Sequence, residues 1–414
     1  MKLLIAIPAL NEEDSIEGII RRTLDARAGI VAGSPVTEVE ITVVSDGSTD
    51  RTVEIAQGFT DQIRLIEFPQ NRGYGRAILE AWAQSDAELV SFLDADGTCD
   101  PRFFTTLCNA VEAGPAAVAL GCRLHSKSKM PKIRRFGNLL FSTLLSTISG
   151  TTVRDTASGM RVVRRSELEK LMPLPSGLHF TPAMSARAVL RGDVSIAEID
   201  MPYHEREGRS KLSVVKDGFR FLGIILDALF LYRPDRPLAV LGGVSVLAAV
   251  GMMASPIFHY VQERTVDEWM IYRFIVAHFL GTCGVLTLCT AYLSRKVAAL
   301  TVLPDEQENP FGGWLHRMFQ SPAFWLLPAT LLLIGGALVG TSFLELVRTG
   351  ATAEHWSRFI AMSFFASLAF ILVVTRVMDY SLGLMAAWLA YRRSGVDSSD
   401  HRGAPAAQLE EGRP

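Results

Sequence analysis

Cysteine is scarce. Five are spread through 414 residues (Cys99, Cys108, Cys122, Cys283 and Cys289), none in a CxxC pair. That argues against a disulfide scaffold or a cysteine zinc site and fits a reducing compartment. An excess of positive charge is also lacking: 41 Lys+Arg face 43 Asp+Glu, net −2. A nucleic-acid partner held by phosphate neutralisation is therefore not expected. The chain contains neither GxxxxGK[ST] nor GxGxxG, and Asn71-Arg72-Gly73-Tyr74-Gly75-Arg76 is too loose to count as either. A P-loop ATPase and a dinucleotide dehydrogenase are both disfavoured. The apolar run Leu3–Ile7 after Met1-Lys2 is too short for a signal-peptide core and ends at Pro8, so the N-terminal part is expected to stay cytosolic. With 49% hydrophobic and 20% charged residues, the chain is not disordered as a whole.

What the chain does have is long uncharged stretches, all in its second half. Leu238–Ile257, Phe274–Leu293 and Ala323–Leu344 each run for at least 20 residues without Asp, Glu, Lys or Arg. Twenty helical residues reach about 30 Å, the thickness of a bilayer's hydrocarbon core. A fourth run, Phe359–Thr375, meets Arg376 and Asp379 before Tyr380–Tyr391 resumes. It reads as a fourth span, with Arg376 and Asp379 as an i,i+3 pair snorkelling near the interface or, alternatively, as a functional intramembrane charge. Arg206, Arg209, Lys211, Lys216, Arg220, Arg233 and Arg236 crowd the near side of the first span. By the positive-inside rule they place residues 1–212 in the cytosol of a multi-pass integral membrane protein, expected in the plasma membrane of a prokaryote. Residues 213–235 read as an amphipathic helix for the membrane interface, although a helix packed on the soluble domain would look similar. Residues 236–393 then form the membrane domain (spans 238–260, 273–293, 323–345 and 359–391), and 394–414 a polar, disordered tail. Gly242-Gly243 and Gly335-Gly336 with Gly340 permit close helix packing, so the spans are candidates for a homo-oligomer interface.

Before residue 213 the hydrophobic period switches between strand and helix. Strands are expected at Lys2–Ile7, Glu40–Val44, Ile63–Glu67, Leu89–Leu93 and Ala117–Gly121. Helices are expected at Asp14–Ala26, Asp50–Gly58, Gly75–Gln84 and Pro101–Glu112. That alternation predicts an α/β domain with a mostly parallel sheet, whose ligands bind beyond the carboxyl ends of the strands. Polar clusters stand at those ends: Pro8–Glu12, Ser45–Asp50 and Asp94-Ala95-Asp96. On extended backbone, residues i and i+2 face the same side, so Asp94 and Asp96 can address one ligand. Hard oxygen donors suit Mg²⁺ or Mn²⁺ shared with a substrate diphosphate; a solvated loop is the plain alternative.

Taken together, Pro-Ala-Leu-Asn-Glu-Glu (8–13), Ser-Asp-Gly-Ser-Thr-Asp (45–50), Asn-Arg-Gly (71–73) and Asp-Ala-Asp-Gly (94–97) resemble family 2 glycosyltransferases. The stretches 155–165 and 206–212 narrow the resemblance to polyprenyl-phosphate (dolichol-phosphate) mannose and glucose synthases. It covers about residues 1–235 and implies a Rossmann-like GT-A fold, a nucleotide-sugar donor (GDP-mannose or UDP-glucose), Mg²⁺ or Mn²⁺ and a polyprenyl phosphate acceptor. Matching by position, it implies that Pro8, Ala9, Asn11, Glu12, Asp46, Asp94 and Ala95 line the nucleotide-sugar pocket. Asp96 is then the principal metal ligand, helped by Asp94. Arg123, Arg135 and Asn138 fall where the family handles the lipid phosphate. Asp155, Ser158 and Arg161 shape the sugar side, the last two within reach of the acceptor phosphate, and Arg206, Ser210 and Lys211 clamp phosphates from the membrane side. The implied catalytic set is Asp94, Asp96, Asp155 and Arg123. Asp155 has a plainer reading, as a loop anchor paired with Arg154 or Arg161. The QxxRW element of processive polysaccharide synthases is absent, and a non-catalytic nucleotide-sugar sensor on a lipid-handling membrane domain is a further alternative.

Overall fold

A computed structural model describes residues 1–124, 130, 132–204, 214–303, 317–351 and 354–397. The chain divides into two compact units, Met1–Tyr232 and Arg233–Pro414.

The first unit is built on a seven-stranded sheet: β1 (Lys2–Ala9), β2 (Glu38–Asp46), β3 (Arg64–Phe68), β4 (Leu89–Leu93), β5 (Val118–Cys122), β6 (Met160–Arg164) and β7 (Ile196–Asp200). Their order across the sheet is β3-β2-β1-β4-β6-β5-β7. All pairings are parallel except those of β6, which runs antiparallel between β4 and β5. The interior strand β1, between β2 and β4, explains the arrangement. Both faces of β1 are covered, so it reads as an unbroken apolar run instead of an alternating one. Leu3, Ile5 and Ile7 join Ile16, Ile19 and Ile20 of helix α1 (Ile16–Gly33) in one core. Leu4 and Ala6, pointing the other way, meet Ala77, Ile78 and Trp82 of α3 (Tyr74–Ala83) and Phe180 of α7 (Phe180–Arg191) in a second. Between these lie α2 (Thr52–Gln57), α4 (Phe104–Glu112), α5 (Lys132–Ser149) and α6 (Leu168–Leu171).

The unit closes with α8 (Val214–Tyr232). It packs on α5 and α7, burying Phe221, Ile225, Ala228, Leu229 and Tyr232. Its opposite flank leaves Phe219 73% and Phe230 52% exposed. One face of this segment packs on the domain, and another presents apolar side chains outward.

Among the described residues of the second unit, four helical segments are long and apolar enough to cross a membrane: Asp235–Glu263, Glu268–Thr301, Pro322–Gly340 and Trp356–Arg392. The expectation of a snorkelling Arg376–Asp379 pair is corrected here. Asp379 is fully buried and accepts from four side chains: Tyr292 Oη at 2.7 Å, Lys296 Nζ at 2.5 Å, Gln320 Nε2 at 3.1 Å and an Arg376 guanidinium nitrogen at 3.3 Å. A buried carboxylate must be paired and hydrogen-bonded to be tolerated, and this one ties three separate segments together.

Candidate active site

The parallel strands β1, β2 and β4 end side by side, and the loops leaving them enclose a cavity of about 400 Å³. β1 contributes Pro8 and Ala9, with Leu10 and Glu12 beyond it; β2 contributes Asp46; the loop after β4 contributes Asp94, Ala95 and Asp96; and Arg123 enters from the end of β5. Eight sequence-selected residues (Pro8, Ala9, Glu12, Asp46, Asp94, Ala95, Asp96 and Arg123) thus share one wall system.

The carboxylates are held in different ways. Asp96 is 8% exposed, and its Oδ1 accepts from the Thr98 backbone N–H at 3.2 Å and hydroxyl at 2.7 Å. Asp94 Oδ1 accepts from the Tyr74 hydroxyl at 2.6 Å. Burial, with Asp94 beside it, pushes the Tyr74 phenol well above its ordinary pKa, so it stays a donor. Asp46 accepts from the backbone N–H groups of Arg72 at 2.6 Å and Gly73 at 2.9 Å. Its carboxyl is raised by burial, against the lowering effect of those same bonds. Asp46 therefore latches the loop before α3, where Gly73 adopts φ 104° and a Cβ would stand 2.4 Å from the Ser176 carbonyl oxygen. Only glycine fits that turn.

Behind the cavity lies a fixed polar layer. Asp155 is fully buried and accepts from Arg123 Nε at 2.8 Å, from its second guanidinium nitrogen at 2.9 Å and from its backbone N–H at 2.9 Å. Such bidentate geometry is the strongest form of ion pair. Burial would raise the Asp155 carboxyl, but Arg123 outweighs it and holds the group below the usual carboxylate range; the same partnership raises the Arg123 guanidinium. Asn138 Nδ2 donates to Asp155 Oδ1 at 2.8 Å, while its Oδ1 accepts from Thr156.

Several expected contacts are relocated by this layer. Asp155 and Asn138 do not line the cavity; they orient Arg123, which does. The partner of Asp155 is Arg123, not Arg154 or Arg161. Ser158 and Arg161 are also fully buried. Ser158 Oγ donates to the Gly121 carbonyl at 2.6 Å, and Arg161 donates to the Ser158 and Thr156 carbonyls at 3.1 and 2.9 Å. Burial brings the Arg161 guanidinium down to about 10. Both pin the 155–159 loop. Asn11, exposed with φ 49°, accepts from the Thr49 N–H at 2.7 Å and so joins the loops after β1 and β2. Arg135 lines a separate groove with Leu139, Ser142 and Arg154 and donates to the Leu124 carbonyl at 3.3 Å. Arg206, Ser210 and Lys211 lie outside the described residues.

Other wall residues are not expected at the site from the sequence. Tyr74 and Thr98 hold the aspartates, and Tyr203 lies under the Arg123 guanidinium, 5.7 Å from ring centroid to carbon. Arg220 and Phe221 bring α8 into the cavity wall. The Asn-Arg-Gly-Tyr-Gly stretch was the available signal for Tyr74; for the rest, only the tertiary fold brings them near.

Two carboxylates just past an apolar strand thus face a cavity at the carboxyl ends of parallel strands. The glycosyl transferase family 2 model matches residues 4–172. A dolichyl-phosphate hexose transferase from Haloferax volcanii is 31% identical over 219 residues, covering 52% of this chain and 89% of that protein. The chain belongs to glycosyltransferase family 2. Its first unit accordingly has the GT-A fold. A low-salt glycan biosynthesis hexosyltransferase of the same organism is 32% identical over 60% of this chain, which spans 59% of that protein's length. Among solved structures, glucosyl-3-phosphoglycerate synthase from Mycobacterium tuberculosis, in complex with Mn²⁺, UDP and phosphoglyceric acid, aligns with a TM-score of 0.45 at 21% identity, over 55% of this chain and 78% of that one.

Proposed function

We propose that this family 2 glycosyltransferase moves a hexose from GDP-mannose or UDP-glucose to a polyprenyl phosphate of the dolichyl or undecaprenyl type, at the cytosolic face of the membrane. The observation that carries the reading is the convergence of Asp94, Asp96 and Arg123 on one cavity, in a chain that continues into four apolar helices. The relative named as a dolichyl-phosphate hexose transferase supports the acceptor class.

Asp94 and Asp96 fit a divalent cation. No group of three or more His, Cys, Asp or Glu that could hold a metal ion forms among the described residues, and Mg²⁺ is commonly held by one or two carboxylates with substrate phosphates completing the shell. When bound there, Mg²⁺ or Mn²⁺ supplies positive charge for the departing nucleoside diphosphate. Pro8, Ala9 and Glu12 border the nucleotide, and Asp46 shapes the same wall through the loop it latches. The acceptor phosphate is already an anion, so its attack on the anomeric carbon requires no strong general base. Arg123, held by Asp155, offsets the repulsion between acceptor and donor phosphates and keeps the nucleophile in line. A single displacement inverts the anomeric centre and gives a β-linked glycosyl-phosphoryl lipid. The exposed apolar flank of α8, just before the first apolar helix, suits the membrane interface where such a headgroup lies.

The spans also suit self-association. Gly242 is used within the chain, where a Cβ would lie 2.9 Å from the Gly284 carbonyl oxygen; a Cβ on Gly243, Gly336 or Gly340 would meet nothing from another element within 4 Å among the described residues, which leaves these faces to a second copy.

The test uses purified full-length protein with polyprenyl phosphate and Mg²⁺ or Mn²⁺. Labelled GDP-mannose and UDP-glucose are offered separately, and label is counted in the organic phase. Lipid-soluble label from one donor establishes the reaction and names the sugar. Absence of transfer from either, with nucleotide binding intact, would favour the sensor reading.

A further inference from the structure

The first turn of α3 aims a hydroxyl at the carboxylate pair. Tyr74 donates to Asp94 Oδ1 at 2.6 Å. The other oxygen, Oδ2, lies so close to Gly159 that a Cβ there would be 1.9 Å away. Asp94 is thus held from two sides, by a donor on one oxygen and by close backbone on the other.

The tyrosine is fixed in turn. Its ring packs edge-on against Phe92 and Phe180, with centroids 6.4 and 6.5 Å away. The two residues before it are tied through their backbone N–H groups to Asp46, and Gly73 is pressed against the Ser176 carbonyl. A ligand side chain with a locked rotamer loses less freedom on binding, and the groups that orient ligands commonly matter nearly as much as the ligands. A phenol suits this task because it is neutral: it orients the carboxylate without cancelling the negative charge that a cation requires.

We propose that Tyr74 is a positioning residue, whose hydroxyl sets the Asp94 carboxylate in the orientation that receives a divalent cation and the donor diphosphate. This rests on the reading of Asp94 and Asp96 given under the proposed function.

The test is Mn²⁺ binding followed by electron paramagnetic resonance on the full-length protein with UDP and, in parallel, GDP, beside transfer kinetics. Tyr74→Phe is expected to weaken Mn²⁺ affinity about 10- to 100-fold. Transfer should fall at low Mn²⁺ and recover in part as Mn²⁺ is raised, with KM for polyprenyl phosphate unchanged and the melting temperature lowered by no more than the loss of one hydrogen bond allows. Wild-type Mn²⁺ affinity in Tyr74→Phe overturns the inference. So does a loss seen only in Tyr74→Leu, which would assign the ring to packing and nothing to the hydroxyl. Asp96→Asn separates the two levels: if it removes Mn²⁺ binding while Tyr74→Phe leaves it intact, positioning alone fails. Wild-type protein that binds no Mn²⁺ overturns the metal reading and this inference together.

Discussion

Among the described residues, each unit of this protein buries one carboxylate completely and pairs it with a cation, yet to different ends. In the sheet unit, Asp155 holds Arg123 by a bidentate pair, and Arg123 also borders the cavity. In the membrane unit, Asp379 draws Tyr292, Lys296, Gln320 and Arg376 from three segments onto its two oxygens. The first arrangement aims a charge at a ligand; the second ties helices together. Removing either carboxylate leaves an uncompensated charge in a poorly solvated place, a cost of about 3–5 kcal/mol when the pair is fully buried. What distinguishes the two is whether the remaining cation faces a cavity.

The largest expected effect tests the cavity side of this contrast. Asp96→Ala should lower transfer by about 1,000-fold or more, an effect of about 4 kcal/mol on the barrier, while the protein still folds and inserts. Full activity in that variant, or in excess EDTA, would remove the metal mechanism.

Next, Asp155→Asn and Asp379→Asn should separate the units. The first should lower both activity and thermal stability, because Arg123 loses its anchor. The second should destabilise the helical unit while leaving Mn²⁺ and nucleotide binding unchanged. Each is measured by melting the detergent-solubilised protein and titrating ligand in parallel. Equal loss of ligand affinity in both variants would erase the distinction.

A pH series sharpens it further. The Asp155 carboxyl titrates lower in the folded protein than its ordinary value of about 3.9. Its contribution is therefore fully present above that value and is lost as pH falls through the depressed folded pKa. Melting temperature should drop more steeply below about pH 4 in the wild type than in Asp155→Asn. Parallel curves would show that the pair carries no linkage.

The smallest effect concerns Ser158. Its hydroxyl serves a backbone carbonyl, so Ser158→Ala should cost about 1 kcal/mol of stability and leave KM for polyprenyl phosphate unchanged. A raised KM would restore Ser158 to the acceptor site.

Much of this molecule could be read from its residues. The Leu89–Leu93 strand is legible to the residue, because a short run, apolar but for Ser91 and bounded by Glu88 and Asp94, has little choice. Asp94 and Asp96 followed from it, since a DxD at the end of a buried strand faces the strand-end crevice. Strand β6 was not legible as antiparallel: Met160–Arg164 alternates weakly, and its direction depends on which neighbours, β4 and β5, leave a gap. Asp155, Ser158 and Arg161 stand close together in the sequence, and all three are fully buried in the fold. Their type and spacing do not say whether a polar group faces a cavity or stands one layer behind it. Arg376 and Asp379 show the same limit, because an i,i+3 pair in sequence carries no sign of Tyr292 and Gln320 arriving from elsewhere.

By itself, then, the order of apolar and polar residues determined two things: an α/β sheet domain ahead of four apolar helices, and the carboxylates at the strand ends. Both are local or periodic properties, set by which side chains leave water and by the pitch of strand and helix. The tertiary structure decided which cation each carboxylate keeps, which polar groups are walls and which are supports, and that a tyrosine at the start of α3 touches Asp94. Those depend on distances between residues far apart in the chain, and hydrogen bonds and ion pairs are decided at that range, by a few ångströms.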